Sequence, residues 1–66
     1  MRVTINGEEE QVQADTTVAQ LVARYELQPQ QVAVEVNRDL VPRRSYDATV
    51  LAEGDQIEIV TLVGGG

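Results

Sequence analysis

The chain has 66 residues, with 5 arginines against 11 acidic residues and a formal net charge of −6. That length holds one small domain whose single core is thin, with no room for an enclosed active-site cavity. Cys, His, Lys and Trp are all absent, which excludes disulfides, a thiolate nucleophile and a zinc finger and removes the commonest general base and metal ligand. The hydroxyls of Ser45, Tyr25, Tyr46 and the threonines lie beside no base in a recognisable motif, so a self-contained enzyme is the weakest reading. An acidic surface repels a phosphate backbone, and the partner it favours is a protein with a basic face, not nucleic acid. No run approaches the roughly 18 apolar residues that cross a bilayer, and no leader-like segment follows Met1, so no membrane partner is expected and the cytoplasm is the expected compartment.

In chain order, Val3 and Ile5 alternate around Thr4 as a half-buried strand. Asn6-Gly7 then predicts a type I′ hairpin turn, because both residues tolerate positive φ. The return strand runs from Glu8 to Gln13 with Val12 as its clear apolar residue, and its three consecutive glutamates mark a protected sheet edge. Asp15-Thr16-Thr17 starts a helix, and Thr17 with Gln20 fits a capping box. Val18, Leu21, Val22 and Tyr25 fall on one helical stripe facing the sheet, and Pro29 requires the helix to end by about Leu27.

Val32, Val34 and Val36 alternate as a third strand. A turn at Asn37-Arg38-Asp39 leads to a short strand, Leu40-Val41, which Pro42 confines to an edge or an end. Arg43 to Thr49 has no period and reads as a loop with room for one helical turn. After a turn at Glu53-Gly54-Asp55, the last strand spans Gln56 to Val63. Ile57 and Ile59 lie on one face and Val60 and Leu62 on the other, as in a strand buried on both sides or covered by a partner. One helix covering one face of a mixed four- to five-stranded sheet is an α+β architecture. The first hairpin and the helix are laid out as in the β-grasp fold of ubiquitin-like proteins, an analogy of fold alone.

Gly64-Gly65-Gly66 holds three of the five glycines. Glycine loses the most conformational freedom on ordering and packs no side chain, so three in succession do not stabilise a fold. The division is therefore a folded domain over residues 1–63 and a flexible tail over 64–66. A frayed end is one explanation of that tail. The other is a thin probe without Cβ atoms that threads a channel in another protein, its carboxylate about 10 Å beyond the domain. The carboxylate is ionised at neutral pH. In a chain without Cys, His or Lys it is the one reactive group on offer. Adenylation by ATP would make its oxygen a good leaving group, and attack by a sulfur nucleophile would leave a terminal thiocarboxylate. The cations that such phosphate chemistry needs would come from a partner.

Here the sequence resembles a known family. V-A-V-E-V-N-R-D-L-V-P-R from Val32, Tyr46, L-A-E-G-D-Q-I-E-I-V from Leu51 and the glycine end are similar to ThiS, the thiamine-biosynthesis sulfur carriers, over essentially the whole chain. The resemblance implies a ubiquitin-like β-grasp fold without a bound cofactor. It implies adenylation by a ThiF-type enzyme that uses ATP and magnesium, loading from a sulfur donor protein, and delivery to a ThiG-type thiazole synthase. Gly66 would carry the sulfur, and Gly64 and Gly65 would thread the partner's channel. Two departures stand out: three terminal glycines where members usually have two, and Tyr46 where Trp is common.

The glycine end alone is shared with ubiquitin, the molybdopterin synthase small subunit and the tRNA-thiolation carriers. The molybdopterin-type chains run longer and often carry a proline-containing segment that Val60-Thr61-Leu62-Val63 lacks. A non-catalytic β-grasp interaction module is the alternative of another class. Val60 and Leu62 are candidates for a partner face, against packing under the loop from Arg43 to Thr49. Arg38, Arg43 and Arg44 are the one local cluster of positive charge, read as solvated loop arginines.

Overall fold

The computed structural model describes residues 1–62. Strand β1 (Arg2–Ile5) turns at Asn6-Gly7 into β2 (Glu8–Gln11). Asn6 and Gly7 take φ of 51° and 84°, the two positive values that a type I′ turn needs. β2 ends two residues before the expected Gln13. Val12 leaves the strand but stays buried, held by mutual bonds with Met1: the Met1 ammonium donates to the Val12 carbonyl at 2.7 Å, and the Val12 N–H donates to the Met1 carbonyl at 2.9 Å.

Helix α1 (Val18–Arg24) starts at the expected capping box. The Gln20 N–H donates to Thr17 Oγ1 at 3.1 Å and the Thr17 N–H donates to Gln20 Oε1 at 3.0 Å, so each end satisfies a free donor of the other. Val18, Leu21 and Val22 are buried against the sheet, but Tyr25 does not complete the stripe and is 41% exposed. The helix stops one residue earlier, with Glu26 turning the chain at φ 60°. The Glu26 N–H then donates to the Ala23 carbonyl at 2.9 Å and the Leu27 N–H to the Val22 carbonyl at 3.3 Å. This is a Schellman ending built on a glutamate, and it brings Leu27 to the core in place of Tyr25.

A short 3-10 turn (Pro29–Gln31), not foreseen in the sequence, leads into β3 (Val32–Val36). β4 (Asp39–Val41) returns after a two-residue turn, and the loop that follows contains one 3-10 turn (Arg43–Ser45). β5 (Gln56–Thr61) closes a five-stranded sheet of order β2-β1-β5-β3-β4. β1 and β5 are parallel, while β1–β2, β3–β4 and β3–β5 are antiparallel. The charged β2 and the proline-ended β4 are the two edges, as expected.

The core is one-sided: Val3, Val18, Leu21, Val22, Val32, Val34 and Ile57 are its fully buried members, joined by Tyr46 and Leu51. β5 is not buried on both faces. Ile57 is buried and Ile59 half-buried on the helix side, whereas Glu58, Val60 and Leu62 are exposed. A single helix covers a single face. The Arg43–Thr49 loop also lies on the helix side, with the Ala19 N–H donating to the Tyr46 carbonyl at 3.0 Å and the Val18 N–H to the Thr49 carbonyl at 2.9 Å. Val60 and Leu62 therefore do not pack beneath it.

Replacing Thr17 with Ala should lower stability in urea unfolding by about 1 kcal/mol, the usual cost of losing a helix cap. An unchanged midpoint would mean that the capping box adds nothing.

Candidate functional site: the end of β5 and the sheet face beside it

The three glycines singled out in the sequence, and Val63 before them, lie outside the described residues. What the structure defines is their root. On one side β5 pairs with β3 as far as Val32↔Thr61, and the Leu62 N–H donates to the Gln31 carbonyl at 2.7 Å. On the other side β1 pairs only over Thr4↔Gln56 and Ile5↔Ile57 before the chain turns away.

Asn6 extends that second side. Its main-chain N–H donates to the Ile57 carbonyl at 2.9 Å. Its side chain accepts from the Ile59 N–H at 2.8 Å and donates to the Ile59 carbonyl at 3.2 Å. A carboxamide standing where strand backbone would be carries the pairing one step beyond β1. Asn37, the first residue of the other two-residue turn, does the same for the start of β5. Its Oδ1 accepts from the Gln56 N–H at 3.0 Å and its Nδ2 donates to Asp55 Oδ1 at 3.0 Å. The two hairpin asparagines thus grip the start and the middle of the strand that leads to the glycines. The sequence marked both as turn formers and missed the side-chain role. Its signal was asparagine as the first turn residue twice, where glycine would equally permit the positive φ.

Val60 and Leu62, the predicted partner face, are 56% and 49% exposed on the side of the sheet away from α1. Leu40, which the sequence reading did not select, joins them at 65% exposed. The pairing Glu35↔Leu40 shows why: Val41 faces the core opposite Val34, so Leu40 shares the outward side with Glu35. The arginine cluster is split. Arg38 stands in the β3–β4 turn. Arg43, past the far end of β4, donates from Nε to the Pro29 carbonyl at 2.9 Å and from Nη2 to the Val32 carbonyl at 3.5 Å. Exposed as expected, it also braces the two 3-10 turns.

Among the described residues no group of three or more acidic or imidazole or thiol side chains could hold a metal ion, and no helix is long and apolar enough to cross a membrane.

This arrangement, a mixed five-stranded sheet with one helix laid across it, is the ubiquitin-like β-grasp fold. The crystal structure of the thiamine biosynthesis protein ThiS from Geobacter metallireducens superposes on it with a TM-score of 0.84 at 32% identity, over 100% of both chains. The sequence model of the ThiS family matches residues 2–66. The sulfur carrier protein ThiS of Bacillus subtilis is 38% identical over 63 residues, covering 94% of this chain and 96% of that one. A thiazole synthase of Magnetococcus marinus is 44% identical over 66 residues, all of this chain but 20% of that protein. The chain spans about a fifth of the length of the thiazole synthases it matches. The chain belongs to the ThiS family.

Replacing Asn6 with Gly keeps the turn's positive φ but removes both side-chain bonds to Ile59. Stability should fall by about 1 kcal/mol, the net worth of one or two exposed hydrogen bonds, and amide exchange at Ile59 should accelerate. A variant as stable as the parent would show that the carboxamide grip is incidental.

Proposed function

We propose that this chain is a sulfur carrier of thiamine biosynthesis, a protein co-substrate and not an enzyme. Residues 1–63 form the folded body and Gly64–Gly66 the working tail. The observation that carries the proposal is a full-length likeness to ThiS proteins in a chain with three successive glycines two residues beyond β5. The Gly66 carboxylate attacks the α-phosphorus of ATP and expels pyrophosphate, giving an acyl adenylate on a ThiF-type enzyme that holds the ATP and magnesium. Sulfide then adds to the carbonyl carbon and AMP leaves with the former carboxylate oxygen, which yields the thiocarboxylate. With a persulfide donor, a second thiol must cleave the resulting sulfur–sulfur bond to reach the same product.

A ThiG-type thiazole synthase is the acceptor. The match of this chain to a fifth of each of two proteins named thiazole synthase supports a functional pairing of the two. Gly64 and Gly65 serve as the thread through the enzyme's channel, and Val60 and Leu62 as contacts at its mouth. The absence of cysteine leaves the terminal carboxyl as the place where sulfur can ride. The cytoplasm, where ATP is available, is the proposed compartment.

Incubated with ATP, magnesium, a ThiF-type enzyme and sulfide, the chain should gain and then lose an adenylyl group. It should end heavier by the difference between a sulfur and an oxygen atom, with fragmentation placing that difference on Gly66. A chain that binds the enzyme and never acquires this mass contradicts the carrier reading and favours the interaction module. Replacing Gly65 with Val should leave thermal stability unchanged while abolishing adenylation, since a β-branched side chain both widens and stiffens the thread. Removing Gly66 shortens the reach by about 3.3 Å and should slow loading by at least about 100-fold. Normal rates in both variants would mean that no narrow channel reads the tail.

A further inference from the structure

We propose that the outward sheet face centred on Glu35 and Glu58 docks a basic protein partner, an arginine of which enters between the two carboxylates. The strand register sets Glu35 directly opposite Glu58, a placement that brings Cβ atoms to about 4.5–5.5 Å and makes like charges destabilising. Among the described residues the ion pairs are Arg2–Glu9 and Arg24–Glu10, both made to glutamates of β2, so neither Glu35 nor Glu58 has a cation within 4.0 Å. Arg38 borders the same recess, of about 490 Å³, but its turn holds it at φ 73° and outside ion-pair distance.

The acidic pair is set in apolar surroundings. Leu40 lies across from Glu35, Val60 is two residues beyond Glu58 on the same side of β5, and Leu62 follows at the root of the tail. Three of the five large exposed hydrophobic residues of the described chain are therefore on this one strip. From Glu58 to Leu62 the strip runs about 13 Å. The fold gains nothing from a repulsive pair among exposed aliphatics. A partner that covers the aliphatics and inserts a cation relieves both costs at once. A guanidinium fits better than an ammonium, because its planar fork donates to two carboxylates together. A second copy of this chain would instead bring four carboxylates into contact, and an anionic membrane or nucleic acid would be repelled.

The choice of probe rests on the sulfur-carrier reading, so the experiment has two arms. In the first, the chain is titrated calorimetrically with a ThiF-type adenylating enzyme at low and physiological salt. The variant carrying Glu35→Gln and Glu58→Gln should melt no lower than the parent, bind at least about tenfold more weakly and lose much of its salt dependence. Asp47→Asn, an equal change of charge per site in the loop over the helix, should bind within about twofold of the parent. Equal affinity of the double variant, with the parent bound and adenylated normally, overturns the docking face and leaves the carrier reading intact.

In the second arm, amide resonances are followed as N-acetyl-arginine amide is added. Shifts grouped on Glu35, Glu58, Leu40 and Val60 and lost in the double variant support the face, even if the parent fails to bind the enzyme and the carrier reading falls. Scattered or absent shifts, or a concentration-dependent dimer abolished by Val60→Ser, contradict it.

Discussion

The parallel pairing of β1 with β5 is the constraint on which the rest of the structure depends. Two register pairs, Thr4↔Gln56 and Ile5↔Ile57, join segments about fifty residues apart in sequence. They place the C-terminal strand in the middle of the sheet, between the two hairpins, instead of at an edge. Every other element follows from that placement. The chain between β2 and β3 must pass over one face, and α1 fills that passage with Val18, Leu21 and Val22. The segment between β4 and β5 must also return over the helix side, and it delivers Tyr46 and Leu51 to the same core. The opposite face is left bare. β5 is thereby flanked on both sides along most of its length.

The two asparagines extend the same logic. Parallel pairing over two residues is short, and Asn6 lengthens it to Ile59 while Asn37 secures Gln56 at the start of β5. Positive φ at four turn positions, Asn6, Gly7, Asn37 and Arg38, lets both hairpins close in two residues. Three of those four residue types are well suited to that conformation. Arg38 is not, and a non-glycine residue held there carries strain. It keeps a positive charge at the rim of the Glu35–Glu58 recess without neutralising it.

Much of this was legible in the residues, and where it was not the reason is physical. Alternation fixed the faces of β1 and β3, and Asn6-Gly7 fixed the first hairpin, because those signals are local. The capping box at Thr17 and Gln20 was local too. Tyr25 was misplaced because helical spacing cannot say where a helix stops, and a glutamate in a left-handed position is a weak stop signal beside Pro29. The outer face of β5 was left between burial and a partner face because hydrophobicity alone does not say what covers a strand, and Val60 and Leu62 prove exposed. Leu40 was missed since its facing depends on strand register, a non-local quantity. The glycine tail lies outside the described residues, so its proposed chemistry rests on composition and on the likeness to ThiS proteins.

The proposed function divides the labour between a body that holds and a terminus that reacts. The measurement that tests it most directly is a comparison of amide correlation spectra of the ¹⁵N-labelled chain before and after enzymatic sulfur loading. If the fold is a passive holder of the tail, the resonances that move belong to residues 63–66, and those of β1, α1 and β3 stay in place. Shifts spread through the core, or a loaded protein whose terminal resonances are unchanged, would contradict the account.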